Sequence, residues 1–147
     1  MNQIRPWLYL GKYKETKDLY LLKTHNISAM LQLAELVEHP GILSLYLAVE
    51  DGVPISPQIL KTGIEFVKSN KNAGRKTLVA CGAGISRSAA FAIASLKEIE
   101  QTSLLEAYHE VKQHHPETLP HPLLWKSLCG FYHEDIPFFK ILSGISK

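Results

Sequence analysis

Cysteine is scarce in this chain of 147 residues, which has only two, Cys81 and Cys129. Two cysteines cannot build a disulfide framework, and a structural zinc site needs more ligands than they supply. Charge of one sign is also lacking, because 16 basic and 14 acidic residues leave a net charge of +2 when the histidines are neutral. Such a balance provides no basic patch of the kind that nucleic-acid-binding proteins show. We therefore expect no metal, no cofactor and no nucleic-acid partner.

Long apolar stretches are missing as well. No run approaches the roughly 20 residues of a membrane-spanning helix, and the first residues lack the basic, apolar and small-residue succession of a secretory signal. Hydrophobic residues nevertheless make up 46% of the chain, which is enough for one buried core. We therefore expect a single domain over residues 1–147, with residues 137–147 as a C-terminal tail, in a reducing, cytoplasmic setting without membrane contact.

Hydrophobic patterning predicts strands that alternate with helices. Strands are predicted at residues 4–10, 27–33, 42–49 and 76–80, and helices at residues 15–23, 57–72, 88–99, 104–115 and 122–131. The runs at 27–33 and 42–49 are apolar enough for strands that are buried on both faces. This order predicts an α/β fold with a central, mostly parallel sheet flanked by helices. Ligands of such sheets bind at the carboxyl ends of the strands.

Helix start signals support this reading. Ser56 followed by Pro57 is typical of an N-cap and first helical position, and Ser103 with Glu106 has the spacing of a capping box. In the tail, Phe138, Phe139 and Ile141 are the residues expected to pack, although the pattern does not say where.

The segment 81–88, which reads CGAGISRS, follows a predicted strand and opens a helix of small apolar residues. This layout places the Cys81 thiol at the end of the strand and the Arg87 guanidinium in the first helical turn. The backbone N–H groups between them are free to point inward, and such a nest at a helix N-terminus binds anions. A tetrahedral phosphate fits this arrangement, with the sulfur of Cys81 beneath the phosphorus as a nucleophile.

The residue types around the thiol suit phosphoryl transfer. A free cysteine thiol is mostly protonated at neutral pH, and only its thiolate is an efficient nucleophile. Inward-pointing amides, the helix dipole and the Arg87 cation all favour the thiolate. The planar fork of Arg87 can hold two phosphate oxygens at once. The Ser88 hydroxyl lies where it can donate to the thiolate and ease its departure from a phosphocysteine.

A phosphate ester also needs its leaving oxygen protonated. Asp51 is the first candidate for the general acid, because it follows the strand predicted at 42–49 and would lie on the same sheet edge as Cys81. Glu50 is the fallback, although strand alternation points it away from Asp51. Aspartate is also common in turns, so Asp51, which precedes Gly52, could be a turn residue with no catalytic role.

With these residues in place, the chain resembles the dual-specificity subgroup of the protein tyrosine phosphatases. The resemblance rests on the segments AVED at 48–51, NAG at 72–74 and LVACGAGISRSA at 78–89, and more weakly on residues 4–11 and 106–108. It implies the tyrosine-phosphatase-like fold and a phosphocysteine intermediate without a metal. It also implies Cys81 as nucleophile, Arg87 as phosphate clamp, Asp51 as general acid and Ser88 as the leaving-group hydroxyl. The implied amide cradle consists of Gly82, Ala83, Gly84, Ile85 and Ser86.

The chain departs from this family in two places. Similar phosphatases usually have a histidine before the cysteine, and Ala80 occupies that position here. The resemblance therefore implies weakened chemistry at neutral pH rather than none. Similar phosphatases often have Pro-Asn where this chain has Pro120-His121, and the sequence does not show what that changes.

Other residues of these types have ordinary structural explanations. Cys129 falls on an apolar helical face, where a cysteine is usually a small hydrophobic residue. The pair His114 and His115, like His121, is expected on the surface or in loops. The spacing of Cys81 from Arg87, with glycines between them, distinguishes Cys81 from a core cysteine.

The first functional hypothesis is therefore a phosphatase that acts on phosphotyrosine, with phosphoserine and phosphothreonine as further substrates, in a phosphorylated protein partner. A phosphate-binding pseudophosphatase is the second hypothesis, prompted by Ala80. Phosphoinositides and RNA 5′-phosphates stay open as other substrates. Redox or sulfur-transfer chemistry on a similar loop ranks last, because Cys129 is the only other thiol and is predicted to be buried.

Overall fold

A five-stranded sheet forms the centre of the molecule. The computed structural model describes residues 1–143. Its strands are β1 (Asn2–Arg5), β2 (Leu8–Lys12), β3 (Ile27–Gln32), β4 (Leu43–Tyr46) and β5 (Lys76–Cys81), in the order β1-β2-β5-β3-β4. All neighbours are parallel except β1 and β2. The predicted mostly parallel sheet is therefore confirmed. The central strand β5 ends at Cys81, so the thiol lies at the carboxyl edge.

Seven helices cover the two faces of this sheet in the described part of the chain. They are α1 (Tyr13–Thr16), α2 (Leu19–Thr24), α3 (Pro57–Asn72), α4 (Arg87–Glu100), α5 (Leu104–His114), α6 (Pro122–Tyr132) and α7 (Phe138–Ser143). The larger core packs α3 to α6 against one face, and α4 is buried along most of its length. A smaller cluster packs Leu22 of α2 against the other face. Adjacent residues of β5 alternate between the two clusters, which places Cys81 in the larger one and Ala80 in the smaller one.

The first predicted strand, at residues 4–10, is wrong in extent. The chain instead forms a hairpin, in which Arg5 of β1 pairs with Leu8 of β2 across the turn at Pro6 and Trp7. Proline has no N–H to donate to a ladder and fixes its own φ, so it interrupts a strand. The apolar alternation continued through the turn and concealed this break.

The helix predicted at 15–23 is likewise two helices, α1 and α2. Asp18 lies between them and caps α2, because its side-chain oxygen accepts a hydrogen bond from the Leu21 N–H at 3.1 Å. Aspartate favours such local side-chain bonds over a place inside a helix. The break therefore has a local cause that the leucine spacing does not show.

The strand predicted at 42–49 is shorter and less buried than expected. Only Leu43–Tyr46 forms β4, and its end residues Leu43 and Tyr46 are 49% and 42% exposed. The reason is topological, since β4 is the edge strand of the sheet and has a neighbour on one side only. Beyond it, Leu47 and Val49 turn back into the core and lead toward the carboxyl edge.

The remaining predicted elements agree with the structure. Ser56 caps α3 by accepting from the Ile59 N–H at 3.2 Å, and Ser103 and Glu106 form the predicted capping box of α5. In the tail, Ile141 is buried and Phe138 packs against the core, but Phe139 is 64% exposed, so its predicted packing is wrong. Residues 144–147 of the predicted 137–147 tail lie outside the described residues. No described helix has the length and apolarity needed to cross a membrane.

Candidate active site

The thiol of Cys81 lies at the bottom of a cavity on the carboxyl edge of the sheet. Cys81 is the last residue of β5 and is only 2% exposed. Its Sγ is 3.2 Å from the Oγ of the buried Ser88, which lies in the first turn of the helix that follows. At this distance the Ser88 hydroxyl can donate a hydrogen bond to an ionised sulfur. The two residues therefore have the arrangement that the sequence predicted for a nucleophile and its hydroxyl donor.

The loop between β5 and α4 curves tightly around this sulfur. Gly84 has φ of +71°, and a Cβ at this position would lie 2.9 Å from the carbonyl oxygen of Gly11. Both observations require glycine, since a side chain would be strained by the left-handed backbone and would collide with β2. A Cβ on Gly82 would come within 3.0 Å of an Nη atom of Arg87, so this glycine leaves room for the guanidinium.

The guanidinium of Arg87 is held at one end and borders the cavity. Its Nη1 donates a hydrogen bond to the carbonyl oxygen of Val49 at 2.9 Å, in the segment that leads to Asp51. Arg87 is half-buried and lines the same cavity as Cys81. Because a guanidinium carries five donors, one anchoring bond leaves the others for an anion above the sulfur.

Asp51 is the carboxylate that reaches this cavity. Its Oδ1 accepts a hydrogen bond from the Ser86 hydroxyl at 2.6 Å, and the Ser86 oxygen accepts one from the His121 N–H at 2.8 Å. These contacts join the segment that carries Asp51, the loop between β5 and α4, and the segment before α6 at the mouth of the cavity. The fallback acid Glu50 lines a neighbouring hollow instead, so the structure favours Asp51.

The cavity holds about 410 Å³ and has mostly apolar walls. Its lining residues are Asp51, Cys81, Ala83, Ile85, Ser86, Arg87, Leu119, Pro120, His121, Pro122 and Phe138. Arg87 is the only lysine or arginine among these described lining residues. The cavity therefore combines a sulfur, one fixed cation and one carboxylate within mostly apolar surroundings.

Comparison with known proteins agrees with this geometry. Residues 8–134 match the family described as "Dual specificity phosphatase, catalytic domain". The chain belongs to the dual specificity phosphatase family. Mouse dual specificity protein phosphatase 2 is 40% identical over 116 residues, which cover 76% of this chain and 36% of that protein. Mouse dual specificity protein phosphatase 19 is 32% identical over 124 residues, which cover 81% of this chain and 56% of that protein. The chain thus spans between about a third and just over half the length of these relatives.

Solved structures confirm the fold of this dual-specificity phosphatase domain. Human DUSP28 superposes with a TM-score of 0.84 at 24% identity, covering 90% of this chain and 96% of that chain. The human tyrosine phosphatase-like serine/threonine/tyrosine-interacting protein superposes with a TM-score of 0.82 at 26% identity, covering 90% and 95%. The predicted fold class and the resemblance drawn from the sequence are both confirmed.

One residue of this phosphatase domain was misjudged from the sequence. His115 is not on the surface: it is 2% exposed, and its Nε2 lies 2.6 Å from the carbonyl oxygen of Gly84 in the loop between β5 and α4. Its neighbour His114 is exposed, as expected. The helical spacing of the buried residues Tyr108 and Val111 continues to His115, and that periodicity was the signal available in the sequence.

The second cysteine lies apart from the cavity. Cys129 is half-buried in α6, its Sγ is 3.6 Å from the Ile136 carbonyl oxygen, and burial raises the pKa of its thiol. Both cysteines are free. A thiol with a raised pKa is a poor partner for exchange at neutral pH. Redox chemistry with Cys129 as a resolving thiol therefore has no support in this geometry.

Proposed function

We propose that this domain is a metal-independent phosphatase, which hydrolyses phosphotyrosine and, as further substrates, phosphoserine and phosphothreonine in proteins through a phosphocysteine. One observation carries the proposal: Cys81, Arg87 and Asp51 line a single cavity at the carboxyl edge of the sheet. Two free cysteines also suit a reducing location such as the cytoplasm. The phosphorylated protein would be the partner.

In the first half-reaction, the thiolate of Cys81 attacks the phosphorus and forms a P–S bond. The ester P–O bond breaks, and its electron pair leaves with the substrate oxygen, which takes a proton from the Asp51 carboxyl. Arg87 and the inward amides of residues 82–86 hold the equatorial oxygens, where charge is spread in the transition state. The product is the dephosphorylated alcohol or phenol.

In the second half-reaction, water attacks the phosphocysteine while Asp51, now a carboxylate, accepts a proton from it. The P–S bond breaks and its electrons return to the sulfur. The Ser88 hydroxyl, 3.2 Å from Sγ, donates a hydrogen bond to the thiolate as it leaves. Inorganic phosphate departs and the site returns to its starting state.

We propose that Ala80 makes this chemistry slower than in relatives with a histidine there. Ala80 lies on the opposite face of β5 from Cys81, packed with Tyr9, Met30 and Leu78 in the smaller core. An alanine methyl group supplies no hydrogen bond and no charge to the segment that carries the sulfur. Cys81, Arg87 and Asp51, the proposed nucleophile, clamp and acid, still line one cavity, which supports reduced rather than absent activity.

The cavity walls favour a protein substrate over a highly charged small one. A phosphoinositide or an RNA 5′-phosphate carries several negative groups, and Arg87 is the only lysine or arginine among the described lining residues. The solved structure of PTPMT1 contains PI(5)P, but at 20% identity it shares only the fold with this chain. A phosphotyrosine peptide should therefore be hydrolysed faster than PI(5)P or a 5′-phosphorylated RNA at equal concentration.

The acid provides the sharpest test of this mechanism. Asp51→Asn should lower kcat by about 10²- to 10⁴-fold for an alkyl phosphate, whose leaving oxygen needs a proton, and much less for a nitrophenyl phosphate. Glu50→Gln is the matched control, because Glu50 lines a different hollow, and it should leave both rates unchanged. Equal losses for both leaving groups would remove Asp51 from the role of acid.

The binding-module hypothesis makes the opposite prediction for the wild-type protein. A pseudophosphatase would bind a phosphotyrosine peptide but release no phosphate from it between about pH 5 and 8, the range in which folded proteins tend to be most stable. If titration shows binding and a phosphate assay shows no turnover over that range, the enzyme proposal is lost and the binding role replaces it.

A further inference from the structure

The loop of residues 82–86, the proposed phosphate loop, must direct its carbonyl groups as well as its amides. If the N–H groups of residues 82–86 point into the cavity, the carbonyl oxygens point outward into the protein, where each needs a hydrogen-bond donor. Three of these oxygens have donors outside the loop and its helix. Tyr13 N–H donates to Gly82 at 3.3 Å and Leu119 N–H donates to Ile85 at 3.0 Å. The third is Gly84, and its donor is a side chain.

His115 is that donor. Its Nε2 lies 2.6 Å from the Gly84 oxygen, the shortest of the three contacts. Because a carbonyl oxygen can only accept, Nε2 must carry a proton, and in a neutral imidazole Nδ1 is then a bare acceptor. Consistent with this tautomer, the buried Nδ1 has no partner in the described structure. A bare lone pair is easier to leave unpaired than an N–H donor.

The backbone around His115 fixes the ring in this position. The His115 N–H donates to the Val111 carbonyl at 2.8 Å, and both the N–H and the hydroxyl of Thr118 donate to the His115 carbonyl, at 3.0 and 2.6 Å. The exposed Glu117 carboxylate lies 3.6 Å from the same Nε2, too far for a hydrogen bond. The rigid end of α5 thus presents one N–H to one loop carbonyl.

We propose that His115 is a positioning residue of the active site, which holds the phosphate loop in its anion-binding conformation through the Gly84 carbonyl. Gly84 is the loop residue with a left-handed backbone, and a glycine has more conformations open to it than any other residue. Without a donor at its carbonyl, this peptide can rotate and turn the adjacent amide away from the phosphate. The inference rests on the proposed phosphatase function.

Two amide variants test whether the donor at residue 115 must extend as far as the position of Nε2. His115→Gln places an amide N–H near the position of Nε2, whereas His115→Asn is shorter by one carbon and reaches only the position of Nδ1. The Asn variant and His115→Leu should lower kcat/KM for para-nitrophenyl phosphate by about 10- to 100-fold, because they leave a buried carbonyl unpaired. The Gln variant should stay close to wild type. His114→Gln and Glu117→Gln are controls and should change nothing.

The affinity for inorganic phosphate, measured by calorimetry, provides a second readout that needs no turnover. This affinity should fall in the Asn and Leu variants and persist in the Gln variant. The rates of all variants are normalised to the fraction of folded protein. The proposal is overturned if Gln loses as much as Asn, or if Leu keeps both the rate and the phosphate affinity. An inactive wild type that still shows this pattern of phosphate affinity would refute the phosphatase but support His115.

Discussion

At the scale of single residues, the contact between Ser88 and Cys81 makes a specific kinetic prediction. Ser88→Ala removes the hydroxyl 3.2 Å from Sγ, so the thiolate should leave the phosphocysteine more slowly while the first attack continues. We expect kcat to fall by about tenfold or more and a burst of nitrophenolate to appear in stopped-flow traces.

The control for Ser88 lies on the same helix. Ser95 is also fully buried, but its hydroxyl donates to the Phe91 carbonyl at 2.7 Å and does not contact the cavity. Ser95→Ala should therefore leave the kinetics unchanged. If Ser88→Ala lowers kcat and also shows no burst, this hydroxyl supports the attack of Cys81 on phosphorus and not the departure of the thiolate from the phosphocysteine.

Ala80 provides a second test at this scale. Ala80→His should increase the rate at which iodoacetate alkylates Cys81 at neutral pH, because an imidazole beside this peptide can support the thiolate. Ala80→Phe adds similar bulk without a donor and should not increase it. Both variants overfill the small core beside Met30, so each should lose about 1–3 kcal/mol of unfolding free energy. Equal alkylation rates in the two variants would contradict the role given to Ala80.

The sequence was informative about those site residues whose chemistry depends on neighbours in the chain. Cys81, Arg87 and Ser88 lie within one strand–loop–helix unit, so their spacing predicts their proximity, and Asp51 follows from the parallel sheet. His115 and Phe138 reach the same site from distant segments. Nothing local in their sequence states which loop they contact, although the helical phase of His115 indicated that it is buried.

At the scale of elements, the packing of α3 against α4 depends on one glycine. A Cβ on Gly63 would clash with the ring of Phe91, which is fully buried. Alanine normally stabilises a helix relative to glycine, but here the added methyl group must displace that ring. We expect Gly63→Ala to lower the unfolding free energy by about 1–3 kcal/mol in urea denaturation.

Gly130 of α6 is the matched control for this substitution. A Cβ there would meet no atom within 4 Å. Gly130→Ala should therefore raise the unfolding free energy by about 0.4–1 kcal/mol, the gain from helix propensity and a restricted unfolded chain. If both variants were stabilised, the claim that α3 and α4 pack too closely at Gly63 to admit a methyl group would be contradicted.

Element positions were predictable where start and stop signals were local. Ser56, Pro57 and the Ser103–Glu106 box mark helix starts that the structure confirms. The errors arose where an apolar pattern ran through a reversal at Pro6, through the cap at Asp18, or along an edge strand. A single strand does not reveal how many neighbours it has, so the exposure of β4 could not be read from its residues.

At the scale of the whole molecule, an ion-pair network joins the N-terminal hairpin to the helical layer. Arg5 of β1 contacts Glu100 at the end of α4 at 2.7 Å and Glu110 of α5 at 2.9 Å. The hydrogen bond from Arg5 lowers the pKa of the Glu100 carboxyl below its usual value, despite partial burial, which acts in the opposite direction. The charged form of Glu100 is therefore favoured in the folded protein.

This lowered pKa predicts the pH dependence of stability. The contribution of Glu100 is fully present above its unfolded-state pKa, about 4.3, and is lost as the pH falls through the lower folded-state pKa. Glu100→Gln should remove up to about 1 kcal/mol of unfolding free energy at pH 7 and less at the lowest pH. Glu38→Gln, at an exposed position, is the control. A constant loss at every pH would contradict an ionic origin.

The proposed catalytic cycle requires a covalent bond between Cys81 and phosphorus, and trapping that bond tests it most directly. Wild-type protein is mixed with a radiolabelled phosphotyrosine peptide in the presence of a metal chelator and quenched with acid within milliseconds. We predict that, after the quenched protein is digested, the label is found on the fragment of this protein that contains Cys81. Ser88→Ala should increase the yield of labelled fragment. Cys81→Ser should abolish both the label and phosphate release. Phosphate release by wild type without label on Cys81, or turnover in Cys81→Ser, would contradict the mechanism.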